Sequence, residues 1–183
     1  SFDASGDPVA IATGNDGQVL TSAGAGQPPA FETVSAGFTL GTEQASTSGT
    51  SLTFSSIPAG VTQVDLMFFE SGSNGNDNYL LQLGDAGGIE TSGYVSTSGG
   101  RASSSFSGIQ NSTSGFVMNN TVGATMVHSG LGSLHLEDAS AFTWIYTYAA
   151  KWGSAAMSYG GGSKSLSAEL TQLKLIFTGS NVF

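Results

Sequence analysis

Alternation of apolar and polar residues with a period of two is the feature that most narrows what this chain can fold into. Val64, Leu66 and Phe68 alternate with Gln63, Asp65 and Met67, and Tyr79, Leu81 and Leu83 alternate with Leu80 and Gln82. Successive side chains of an extended chain point to opposite faces, so each run reads as a strand with one apolar face. Between them residues 71–78 read SGSNGNDN, nearly all turn formers. That predicts an antiparallel hairpin with a mobile tip. A lone hairpin is marginal in water, so the face of Leu66, Phe68, Leu81 and Leu83 has to be covered by further strands.

The rest of the chain supplies them. Extended runs are expected at 38–45, 51–57, 93–96, 101–109, 116–119, 123–128, 131–137, 142–152, 155–159 and 170–178. The segments 116–119 and 123–128 are expected to pair across Asn120-Thr121. Leu166, Leu170 and Leu173 also fit helical spacing, but the continuation Leu-Ile-Phe-Thr favours a strand. Short strands at roughly 8–12-residue spacing, glycine-rich turns and no helical unit predict an all-β, antiparallel β-sandwich of jelly-roll type.

Composition excludes several functions. At 183 residues a globule buries roughly 70% of its unfolded surface and can build its own core. With no cysteine, neither disulfides nor thiolate metal sites contribute. Charged residues are only 9% of the chain, and its surface must instead draw on 29 Ser, 18 Thr and 27 Gly. The net charge is −9, and Arg101, Lys151, Lys164 and Lys174 are the only permanent cations. Such a chain cannot neutralise a run of phosphates, which disfavours nucleic acid and anionic membrane surfaces as partners. No apolar run approaches the ~18 residues of a spanning helix, so no membrane insertion is expected. The sequence does not begin with Met and is read as a processed product or a fragment.

Few constellations suggest chemistry. Gly84-Asp-Ala-Gly-Gly88 and Gly160-Gly-Gly162 lack the lysine and the helix of a phosphate cradle and are read as tight β turns. His128 and His135, near Ser129, Glu137 and Asp138, are read as a chance association rather than a triad or metal pair. Asp85, Glu90, Glu137 and Asp138 are given structural or solvent-facing roles rather than glycosidase chemistry. The loop Asn74, Asn76, Asp77, Asn78 has too few carboxylates for a calcium loop. No cofactor, metal or enzymatic activity is expected. Phe142, Trp144, Tyr146 and Tyr148 share one strand parity and are read as core or subunit seam, with Trp152 as the stripe's candidate for exposure. Exposed aromatic rings are platforms for the apolar faces of sugars, with amides and carboxylates binding the hydroxyls. Glycan contact is accordingly placed on Asn76, Asp77, Asn78, Tyr79, Tyr94, Trp152 and Tyr159.

Residues 1–37 differ in character from the remainder of the chain. Glycine-rich turns punctuate them, and only Gln18-Val-Leu-Thr21 and Ala30-Phe-Glu-Thr33 look extended. They are read as a connector and 38–183 as the sandwich. The connector is either a flexible leader or a small turn-and-strand module that orders against copies of itself. The run from Asn15 to Phe31, NDGQVLTSAGAGQPPAF, resembles the short connector that precedes the distal domain in tailed-bacteriophage tail fibres and related virion adhesins. More loosely, LTFSSIPAGV and LQLGDAGGIETSGY, within residues 51–94, resemble C-terminal fibre domains of phages of marine bacteria and cyanobacteria. The two stretches cover about a third of the chain. The resemblance implies a homotrimer in the virion, associated with other tail proteins. It implies a distal fibre domain that adheres to host surface polysaccharide, or else a capsid or tail decoration protein with a structural role alone. The chain departs from needle-tipped fibres in lacking a His-x-His pair.

Overall fold

A computed structural model describes residues 5–8, 10–11, 13–33, 37–102, 105–118, 127–154 and 156–183. The chain divides into two units, Ser1–Glu43 and Gln44–Phe183. In the first, β1 (Gln18–Thr21) and β2 (Ala30–Thr33) form an antiparallel hairpin with Val19 opposite Glu32 and Leu20 opposite Phe31. These are the two segments expected to be extended. Gly24 and Gly26 sit at φ of 102° and 79° in the connecting turn, a conformation that side chains with a Cβ rarely adopt.

Eleven further strands lie in the second unit among the described residues: β3 (Ser51–Phe54), β4 (Gln63–Ser71), β5 (Tyr79–Asp85), β6 (Gly88–Ile89), β7 (Val95–Ala102), β8 (Ser105–Ser112), β9 (Phe116–Met118), β10 (His128–Asp138), β11 (Thr143–Trp152), β12 (Ala156–Ser165) and β13 (Gln172–Phe177). One sheet has the order β4-β10-β11-β12-β7-β8; the other is β3-β13-β5-β6, with β9 also paired to β5. Every pairing is antiparallel. The sheets pack as a sandwich, and nested long-range pairs (β3 with β13, β4 with β10, β7 with β12) fold the chain back on itself as a jelly roll does. The described residues contain no helix.

Between the sheets, Leu81, Leu83, Leu173, Leu175 and Phe177 face Leu134, Trp144, Tyr146 and Tyr148, all buried. Each such side chain contributes roughly 1.5–3 kcal/mol by leaving water. An aromatic chain runs through this core, Tyr94 edge-on to Phe116 at 5.1 Å, Phe116 stacked on Tyr146 at 5.0 Å and Tyr146 on Tyr148 at 6.0 Å. Gly132 makes room for it, since a Cβ there would press into the Tyr146 ring.

Several expectations are corrected. β4 and β5 do not form a hairpin: β4 is an edge strand of the six-stranded sheet, paired with β10, while β5 sits inside the other sheet beside β13. Their apolar faces meet across the sandwich instead of side by side. The run 101–109 is not one strand but parts of β7 and β8, and residues 38–45 form no strand. Gly160–Gly162 lies inside β12, not in a turn; a Cβ on Gly162 would run into the Val95 carbonyl, so β7 approaches where no side chain intervenes. Gly84–Gly88 does make the tight turn, between β5 and β6. The expected pairing of 116–119 with 123–128 falls largely on residues outside the described ones; β9 itself pairs with β5.

Candidate functional site

The loop from β4 to β5 serves the C-terminal segment. The Asn74 amide donates to the Val182 carbonyl at 3.0 Å, and the Val182 amide returns a bond to Asn74 Oδ1 at 3.0 Å. Asp77 Oδ2 accepts from the Asn181 amide at 3.0 Å, and the Asn78 carbonyl from the Thr178 amide at 2.8 Å. Phe183 then rests on Phe177 at 4.6 Å and near Tyr79 at 6.2 Å. Of the loop's proposed glycan contacts, Asn76 is exposed, while Asp77 and Asn78 are half-buried.

Three proposed contacts are core residues and are corrected as such. Tyr79 is buried, edge-on to His128 at 5.0 Å, and donates to the Ser71 carbonyl at 3.0 Å. Tyr94 is buried; its hydroxyl accepts the Leu83 amide at 2.7 Å and donates to the Glu90 carbonyl at 2.9 Å. Burial pushes the Tyr94 phenol up to about 12, and it raises those of Tyr79 and Tyr146 as well. Trp152 is 4% exposed because it shares the inward parity of Trp144, Tyr146 and Tyr148; Lys151 takes the outward position. Tyr159 is open, 48% exposed on the outer face. Among the described residues no hydrogen bond or ring contact joins it to the 71–78 loop.

The acidic and histidine candidates are likewise placed. His128 and His135 stand an odd number of positions apart on β10, so one points inward and the other outward. Asp138 Oδ1 caps the β10–β11 turn through the Ser140 amide at 2.8 Å and the Ser140 hydroxyl at 2.6 Å. Asp85 and Glu90 meet at Ser167, whose hydroxyl donates to Asp85 at 2.6 Å and whose amide donates to Glu90 at 2.7 Å. Lys164, buried beneath, pairs with Glu90 and lies 5.5 Å over the Tyr94 ring. Both carboxylates and the Lys164 ammonium are thus engaged by neighbours in the fold. A cavity between the sheets, lined by Phe68, Tyr79, Met118, His128, Tyr148 and Ala150, measures about 10 Å³, the space of one water at most.

What remains open is the outer face of the six-stranded sheet. The registers align its outward residues in rows across the strands. One row reads Asp65, Ser133, Thr147, Gly161, Thr97, Asn111, all short or polar. At about 4.8 Å per strand it spans roughly 24 Å. The next row runs Met67, Leu131, Ala149, Tyr159, Gly99, with Ile109 at the bulge opposite Gly99. Beyond it Ser129, Lys151, Met157, Arg101 and Phe106 align, with Phe69 at the β4 end. Met67 is 83% and Phe69 79% exposed, against 75% for Phe106 and 76% for Ile109. Reasoning from sequence missed these residues. For β4 the signal was present: Leu66 to Phe69 is apolar at both parities.

The fold and its open face define an antiparallel β-sandwich with one broad exposed sheet face. No protein-family model, curated protein or solved structure matches the chain.

Proposed function

We propose that this chain is the distal domain of a tailed-phage fibre, a non-enzymatic virion protein that adheres to host surface glycan as a homotrimer. The observation that carries the reading is the polar row Asp65, Ser133, Thr147, Thr97 and Asn111, bordered by the exposed Tyr159 ring. Hydroxyls, an amide and a carboxylate can serve sugar hydroxyls as both donors and acceptors. The ring offers an apolar platform beside them. Gly161 at the middle of the row places no side chain between Thr147 and Thr97. The connector resemblance at Asn15–Phe31 and the sandwich fold support a virion setting. Weak contacts per copy would be strengthened by several copies acting together.

The test is retention of the full chain on a panel of bacterial cells and isolated surface polysaccharides. The wild type is expected to adsorb to at least one of them, and Tyr159→Ala combined with Thr147→Ala to lose at least ten-fold in retention. Absence of adsorption to every host and polysaccharide tried, with the chain folded, favours a decoration protein of purely structural role. Release of reducing ends from a polysaccharide would overturn the non-enzymatic reading.

A further inference from the structure

The unit Ser1–Glu43 is too small to hold a core. Below about 40 residues a chain usually needs disulfides, a metal or association, and this stretch of scarcely more has no cysteine. Its described part is a two-stranded hairpin with Val19 46%, Leu20 51% and Phe31 36% exposed, followed by Phe38 at 69% and Leu40 at 97%. Its sequence holds five carboxylates (Asp3, Asp7, Asp16, Glu32, Glu43) and no lysine, arginine or histidine. An isolated hairpin of this kind is marginal in water and calls for a cover that is apolar and cationic.

The outermost row of the six-stranded sheet has that character. It exposes Phe69, Phe106 and Met157. It also carries Arg101 and Lys151, two of the four cations of a chain with net charge −9, and no carboxylate; Glu70 stands just past Phe69. The other two cations lie elsewhere, Lys164 buried against Glu90 and Lys174 on β13.

We infer that residues 13–33 of one copy dock on this row of another copy, setting Asp16 and Glu32 against Arg101 and Lys151. The contact is heterologous, a different patch on each partner, so it generates a closed ring or an open chain of copies. It leaves Tyr159 and the polar row beside it uncovered and brings the polar rows of several copies onto one assembly. The inference deepens the proposed trimer and rests on it only in requiring that copies associate.

Sedimentation velocity and native mass measurement on the full chain test it, with circular dichroism checking that each variant keeps its β signature. R101E/K151E is expected to weaken association at least ten-fold at low salt, and D16K/E32K to do the same. The two pairs combined in one chain should restore it. A wild type monomeric at every concentration overturns both the docking and the trimer, while adsorption to glycan is scored separately. A wild type that associates equally with either charge reversal overturns the docking alone. Weakening by single reversals without restoration by the combined chain also overturns it, because opposite charges would then not be meeting.

Discussion

At the Tyr94 hydroxyl, one oxygen joins β5 to the segment that leads into β7: it accepts the Leu83 amide and donates to the Glu90 carbonyl. Tyr94→Phe keeps the ring and its edge-on contact with Phe116 but takes a partner from a buried amide. A buried donor left without an acceptor costs roughly 1–3 kcal/mol. Tyr94→Phe is therefore expected to lower the unfolding free energy in urea by that much, moving the midpoint down with an unchanged slope; an unchanged midpoint would show that the amide finds another acceptor. At this scale the sequence told more about parity than about exposure. Alternation puts Trp144, Tyr146 and Tyr148 on one face, and they are buried together. The same alternation sends Trp152 inward, and its place near a strand end was a weaker guide than its parity. Sequence alone does not separate Tyr79 and Tyr94 from surface residues, because a tyrosine beside Asn or Gly looks the same whether its hydroxyl meets water or a buried carbonyl.

Among elements, the strands were legible and their partners were not. The segments at β1 and β2 and the long aromatic strand β11 could be placed from alternation and turn residues. Period two names the face a residue takes but not the strand beside it. β3 pairs with β13, from opposite ends of the sandwich sequence, and no local signal reports that. For the same reason the 71–78 loop looked like a free hairpin tip. It spans instead from one sheet to the other and holds the C-terminal segment through Asn74, Asp77 and Asn78. Asp77→Ala is expected to raise amide hydrogen exchange across 178–183 while β5 and β13 stay protected, since the lost bond to the Asn181 amide is local. The stability cost should be about 1 kcal/mol. Exchange rising equally in β13 would mean that the tail and the sheet open as one unit.

Over the whole molecule, two opposed electrostatic effects decide how the chain responds to acid. The Ser167 hydroxyl and then the Gly87 amide hold the Asp85 carboxyl below its usual range. Burial pushes Glu90 up, but the bonds from Lys164 and Ser167 outweigh it and leave that carboxyl lowered as well. A carboxyl lowered in the fold binds its proton more readily in the unfolded chain. Its contribution is thus whole above the unfolded value of about 4 and is lost as pH falls through the depressed folded values. Against this, protonating the exposed carboxylates relieves the self-repulsion of a chain carrying −9. That repulsion is spread over separated surface charges and is screened beyond about 8 Å at physiological salt. Asp85 is buried, so its bonds escape most of that screening. The specific loss should therefore dominate: the thermal midpoint is expected to stay level from about pH 7 to 5 and to fall below about pH 4. Asp85→Asn combined with Glu90→Gln should start lower at neutral pH and decline less steeply. If calorimetry instead finds the wild-type midpoint rising between about pH 5 and 3, relief of repulsion is the larger effect and the Ser167 group matters little to the fold.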